Sequence, residues 1–433
     1  MSLLTFLPII IVSSGGYLLL KLRFFFIIHP KSTLRFAFSG KNKKDSILSL
    51  ILALAGTLGV GNISGVAIGI AIGGAGSVFW LVLSTLFSSA IKYSEVHLSY
   101  RAKGGGMIGV IRGAFKRSGS FFASVYALTA VILSFSMGSI FQARAISESA
   151  GLSGGGALPF AVFLTFIAFF ISIAGKDRLK NAVALLIPFA ALSYTGICLF
   201  VVLSSLGRVP EVMALIFSKA LSTRSTSGGL LGFIVSSGMK EGFARGLLSN
   251  EAGAGTSSFS HTSHVSNTPS GVAEADTVEC ERAGIFGILE VFFDTLLICP
   301  LTALTILLGY EGDSFSGSLG ELSFIFERHI GSLAPGILLL SILLFALSTT
   351  LCWYYYGRVA LSHLIEKRGV FLYTLLYFLS FFAAILYEIP HVLFVTDTAL
   401  FILTVISLSA VIKSRAHLEF KDALGNVYDF KNQ

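Results

Sequence analysis

A chain of 433 residues is long enough for two or three soluble domains, yet 54% of its residues are apolar and only 12% charged, against roughly 25% charged in ordinary soluble proteins. With a mean hydropathy of +0.83, this composition excludes a soluble enzyme, a disordered chain and a secreted disulfide scaffold, and marks an integral membrane protein. The net charge of +8 comes from 31 Lys and Arg against 23 Asp and Glu; these charges sit between apolar runs, with no basic stripe among exposed aromatics, so no nucleic-acid partner is expected.

A helix crosses the hydrocarbon core with about 20 apolar residues. Runs of this kind lie at 3–28, 47–74, 77–100, 121–144, 157–175, 181–206, 227–258, 284–309, 334–357, 370–387 and 391–412, predicting an all-α protein with about eleven transmembrane helices. Such long continuous runs argue against a transmembrane β-barrel, whose strands alternate over about ten residues. No charged residue precedes Leu3, so a cleaved signal peptide is not expected. Placing the N-terminus outside puts 23 of the 31 Lys and Arg on the cytoplasmic side, beginning with Lys21, Arg23, Lys31 and Arg35. The positive-inside rule therefore predicts N-out, C-in, in a bacterial-type cytoplasmic membrane. Cys198, Cys280, Cys299 and Cys352 show no metal or disulfide spacing and read as packed thiols.

Two spans are interrupted at mid-membrane. The first carries Gly56, Gly59, Gly61, Asn62, Ser64 and Gly65; the second carries Ser249, Asn250, Glu251, Gly253, Gly255, Thr256, Ser257 and Ser258. Each glycine disfavours helix by about 1 kcal/mol, and unwound backbone in lipid must find partners in protein, water or ligand. Gly65, Gly69 and Gly73 form a small-residue ridge suited to helix packing, but packing does not account for Asn62, Asn250 and Glu251. Setting aside residues 1–46 as an extra N-terminal helix with a basic linker, the breaks open two sets of five spans, 47–226 and 227–412, followed by a tail at 413–433. Broken helices at matching positions in two halves point to the binding site of a secondary transporter. An intramembrane hydrolase would need a base near its nucleophile, and a channel would need filter residues; neither is found.

The stretch Gly59, Gly61, Asn62, Gly65 and Val66 resembles alanine/glycine:cation symporters, of the amino acid/polyamine/organocation transporter type. So do Gly73 to Trp80, Lys92 to Glu95, and the run Gly246 to Gly253. Phe292 to Thr295 and Trp353 to Gly357 are similar to that family as well, so the likeness runs in order from about residue 50 to 360. The chain departs from the family pattern at Val60, where Thr is usual, at Ala75, where Pro is usual, and after Gly255. The resemblance implies a 5+5 inverted repeat and sodium-coupled uptake of alanine or glycine, with no cofactor. Proton-coupled or ion-independent exchange of small amino acids, D-alanine or serine among them, is the competing reading.

A zwitterion at the midplane needs donors for its carboxylate and acceptors for its ammonium. A half-helix starting near Asn62 presents amides and a positive dipole end, with Gly59 and Gly61 allowing close approach. Asn250 and Gly253 at the second break supply the acceptor side. By resemblance, Gln142, Thr349 and Trp353 line the substrate site, and Na+ sits among Gly56, Gly59, Ser348 and Thr349. Alternative readings are an interhelical hydrogen bond for Gln142, an interfacial belt for Trp353 and back-bonded hydroxyls for Ser348 to Thr350. The charges within spans need partners. Glu251 is expected to organise the second break, and Lys92 with Glu95 to form a structural or gating pair. Asp294 reads as a structural or gating charge; it and Glu290, four residues apart and like-charged, need partners, for which Arg245 and Lys240 are candidates that equally suit the cytoplasmic surface. His261 and His264 read as exposed loop histidines, with proton coupling as the alternative. Oligomeric state is not readable.

Overall fold

The computed structural model describes residues 6–39, 43–102, 106–152, 154–221, 237–263, 277–310, 315–365 and 368–418. Within them the chain is all helix and connection. The helices in order are α1 (Leu7–Lys21), α2 (Lys43–Thr57), α3 (Val66–Gly73), α4 (Gly76–Arg101), α5 (Gly106–Ala114), α6 (Gly119–Leu133), α7 (Phe141–Ser149), α8 (Leu158–Ile173) and α9 (Lys176–Ser204). They continue with α10 (Val209–Ala220), α11 (Ser237–Asn250), α12 (Ser258–His261), α13 (Thr277–Val291), α14 (Cys299–Gly309), α15 (Leu319–Ile330), α16 (Ala334–Leu361), α17 (Arg368–Leu386) and α18 (Val392–Lys413). Short helical turns at Phe25–Ile28 and Pro30–Ala37 lie between α1 and α2.

Among the described residues, six helical stretches are long and apolar enough to cross a membrane, and seven if the bent pair α2–α3 counts as one. The α4 helix has the length, 26 residues, but encloses Lys92, Glu95 and His97 among many serines. The charge distribution is inverted relative to a soluble protein. Asn62, Lys92, Glu95, Gln142, Glu251, Glu290 and Asp294 are buried, while Phe163, Leu185, Phe189, Leu192 and Phe371 are exposed. A chain that hides its charges and shows its phenylalanines is solvated by lipid, and the molecule is a multi-pass membrane protein.

Glycines set the closest helix approaches. A Cβ on Gly69 or Gly73 would meet α11 at Arg245 and Glu241, 3.1 Å away in each case, so this part of the small-residue ridge is a packing face; Gly65 meets nothing within 4 Å. Gly242 and Gly246 return the favour, pressing α11 against Ser77 and Ser84 of α4. Residues 227–236 of the expected seventh span, His264, and residues 419–433 of the tail lie outside the described residues. All four cysteines are buried as free thiols.

Candidate functional site

The first break is an open backbone whose polar groups are met by side chains from two other helices and by Asn62 of the break itself. After α2 ends at Thr57, the chain passes through Leu58 to Val60, makes a π-helical turn at Gly61–Gly65 and resumes as α3. The two halves are bent by 54°. The Trp353 indole donates to the Gly56 carbonyl at 3.2 Å and the Thr349 hydroxyl to the Leu58 carbonyl at 3.3 Å. The Val60 amide donates to Gln142 Oε1 at 3.4 Å and the Gly59 amide to Asn62 Oδ1 at 3.2 Å. Unwinding is thus stabilised by Gln142, Thr349 and Trp353, three residues expected at the site. Buried Trp353 is no interfacial belt residue.

A cavity of ≈ 10 Å³, room for about one water, lies against this break, lined by Gly56, Gly59, Gly61, Gln142 and Thr349 together with Thr57, Met137, Phe141, Leu248, Leu393 and Thr396. A Cβ on Gly59 would stand 2.9 Å from Thr349 Oγ1 and 3.4 Å from Gln142 Nε2, whereas Gly61 faces open space. Phe141 and Leu393 also line a second, wider cavity of ≈ 400 Å³ that contains Arg144, Glu148, Glu388 and His391. These two side chains therefore separate the small chamber from a polar vestibule.

The second break follows Asn250. Glu251 takes a left-handed backbone (φ +54°), and Gly253 and Gly255 follow at φ +96° and +72°. A left-handed L-residue costs roughly 1–2 kcal/mol. Asn250 turns its side chain back to accept from the Ala252 amide at 2.9 Å and donates to Thr295 Oγ1 at 3.0 Å. Tyr126 donates to the Ala254 carbonyl at 2.7 Å. Gly253 packs near Thr404, Ile11 and Leu408, so neither Asn250 nor Gly253 lines the small cavity.

What joins the breaks is Asp294, in the π-helical turn Phe292–Ile298. Asn62 Nδ2 donates to Asp294 Oδ1 at 2.6 Å and to Ser249 Oγ at 3.0 Å. Ser249 and Thr295 donate to Asp294 Oδ2 at 2.5 and 2.6 Å. Among the described residues no cationic side chain pairs with this buried carboxylate. Ser249 and Thr295 escaped the sequence reading as site residues, although both stand inside motifs that carried the resemblance.

The expected charge partners are corrected. Lys92 does not pair with Glu95: its ammonium reaches across to Glu290 at 3.1 Å and Ser257 Oγ at 2.9 Å, because a buried lysine needs a charge at the end of its full length rather than one beside its stem. Arg245 is not the partner of Glu290 or Asp294; it pairs with Glu241 one turn away, at 3.0 Å. His261 is no loop histidine but a buried one, 3.1 Å from Glu290 Oε2. Ser348 donates to the Phe345 carbonyl at 2.8 Å within its own helix. Glu251 accepts from Thr256 at 2.5 Å. Breaking the Lys92–Glu290 pair leaves an uncompensated buried charge. Lys92→Met is therefore expected to lower stability by about 3–5 kcal/mol, and the double variant Lys92→Met with Glu290→Leu to regain most of it. Thermal unfolding in detergent checks this, and an unchanged midpoint for the single variant would contradict it.

The sodium:alanine symporter family model matches residues 1–421 of this chain. An uncharacterized transporter of Haemophilus influenzae is 31% identical over 390 residues, covering 86% of this chain and 82% of that protein. The sodium/alanine symporter AgcS of Methanococcus maripaludis is 27% identical over 416 residues, with 91% and 88% covered. The probable sodium/glutamine symporter GlnT of Bacillus subtilis is 30% identical over 390 residues, with 85% and 77% covered.

Proposed function

The chain belongs to the sodium:alanine symporter family, and on that premise we propose that it carries alanine or glycine into the cell together with Na+ by alternating access. The observation that carries this reading is the joining of the two helix breaks through Asn62, Ser249 and Asp294. In this reading the eleven spans are one N-terminal helix and two sets of five, 47–226 and 227–412, related as an inverted repeat. The N-terminus is outside and the tail from 413 inside.

The substrate carboxylate is placed at the amide end of the half-helix that begins at Gly61, and Gln142 holds the break open beside it. The ammonium faces Thr349, Thr396 and the carbonyl end of α11 near Leu248. Trp353, bound to the Gly56 carbonyl, backs the chamber. Met137, Phe141 and Leu393 close the chamber down to about one water in this conformation, so they must move to admit cargo, and their bulk favours a small side chain.

Na+ is placed at Asp294, with Ser249 and Thr295 hydroxyls and the Asn62 amide oxygen, once the amide turns over, as further ligands. A hard cation takes oxygen ligands, and a buried carboxylate with only neutral partners gains most from a positive charge beside it. The set Gly56, Gly59, Ser348 and Thr349 offers carbonyls and hydroxyls but no net charge, so Asp294 is the better-supported position.

The reading is tested by competition in proteoliposomes. Glycine, serine and both enantiomers of alanine are each offered against labelled L-alanine, with glutamine as the larger competitor. Small side chains should compete and glutamine should not. Competition by glutamine as strong as that by glycine would show that the chamber opens far more widely than its lining suggests, and the cargo assignment would fall.

A further inference from the structure

A second cluster of buried charge lies beside the transport site and is not used by it. Lys92 and Glu95 on α4, Glu251 at the second break, His261 on α12 and Glu290 on α13 are all buried, with 2% exposure or less. In their aqueous charge states the three carboxylates face a single lysine ammonium. That ammonium is spent on Glu290 and Ser257, and His261 is also turned to Glu290. Glu95 is left with a hydroxyl: Ser407 of α18 donates to its Oε1 at 2.9 Å, the Gly253 amide lies against the carboxylate, and Oε2 accepts no hydrogen bond. The titratable groups facing it are Lys92 on its own helix, Glu290 from α13 and the Tyr126 phenol from α6, with Glu251 close to the same phenol. Tyr126 spends its proton on the Ala254 carbonyl.

Burying a carboxylate without a cationic partner costs several kcal/mol, and the group neutralises instead. We propose that Glu95 is a proton-binding site, neutral while Ser407 holds α4 against α18, and that it exchanges its proton with the cytoplasmic side when those two helices part. Glu95 lies six residues from the end of α4 at Arg101, about 9 Å along the helix. In the proposed orientation that end is cytoplasmic. The consequence is a transport cycle whose inward-opening step responds to cytoplasmic pH, in addition to the Na+ dependence proposed above and independently of the cargo assignment.

The first test needs no substrate. Infrared difference spectra of the purified full chain, titrated from mildly acidic to alkaline pH in Na+-free buffer, should show a protonated carboxylic acid carbonyl stretch with a component that disappears in Glu95→Gln and is retained in Asp294→Asn. The band should shift in Ser407→Ala, which removes the hydroxyl and serves if Glu95→Gln does not fold. In proteoliposomes driven by a fixed Na+ gradient, the wild-type alanine exchange rate should fall on one side of the titration by up to about tenfold per pH unit of the lumen. Glu95→Gln should transport without that slope. A carboxylic acid band that persists in Glu95→Gln and vanishes in Glu251→Gln would move the proton to the second break and overturn the assignment. So would carboxylate bands that respond to Na+ with no carboxylic acid at any pH, which would make this a cation site. An unaltered pH slope in a folded Glu95→Gln would also overturn it.

Discussion

Asp294→Asn is expected to weaken the apparent affinity for Na+ by about two to three orders of magnitude, or about 3–4 kcal/mol, while the protein folds at least as well as before. The two effects separate because they rest on different halves of the same arrangement. Asp294 receives hydrogen bonds from Asn62, Ser249 and Thr295 and pairs with no cation among the described residues. An asparagine of the same shape keeps one oxygen to accept from Ser249 and Thr295, donates from its NH2 to Asn62 once that amide turns over, and removes a buried charge that is costly in the absence of the ion. Only the bound cation loses its counter-charge. The measurement is alanine uptake as a function of Na+ concentration, alongside thermal unfolding in detergent. A half-saturating Na+ concentration unchanged in a folded variant would remove Asp294 from the cation site.

Gly59→Ala is expected to reduce uptake by about tenfold or more, with a stability loss of about 1–3 kcal/mol, the usual range for overpacking a close-packed interior. The added methyl would stand 2.9 Å from Thr349 Oγ1 and 3.4 Å from Gln142 Nε2. Both side chains are already committed to the backbone of the break, so neither yields without releasing the Leu58 carbonyl or the Val60 amide. The methyl therefore occupies the chamber where the cargo is placed. Gly61→Ala is the informative companion, because a Cβ there meets nothing within 4 Å and so tests space in the chamber rather than packing. Uptake kinetics on both variants check this. Wild-type rates in Gly59→Ala would mean that the substrate passes elsewhere.

The first break was legible because its signal is local: glycines at 56, 59 and 61 with Asn62 weaken the helix by their own chemistry, and the chain bends there by 54°. The glycines at 253 and 255 were legible for the same reason, and both take positive φ. Partners of the buried charges were not legible, because they depend on how far a side chain reaches between helices. Lys92 and Glu95 are near in sequence, yet the lysine is bound to Glu290, almost two hundred positions away along the chain and facing it across the helix contact. His261 looked exposed because a polar run of serines follows the break, but that run forms a buried helical turn. The helix α15 had a readable start that was passed over: Ser318 accepts from the Glu321 amide at 3.2 Å, a cap three residues before an acid. Asp294 was read as a structural charge because spacing showed only its like-charged neighbour Glu290, whereas its bonds to Asn62 and Ser249 arise from the meeting of three helices.

The most direct test of sodium-coupled symport is accumulation of labelled alanine in proteoliposomes under an inward Na+ gradient, set against an equal inward proton gradient without Na+. The account predicts uphill accumulation with Na+, lost in Asp294→Asn and strongly reduced in Asn62→Ala, and no uphill accumulation when the proton gradient acts alone. Accumulation driven by protons in the complete absence of Na+ would contradict it.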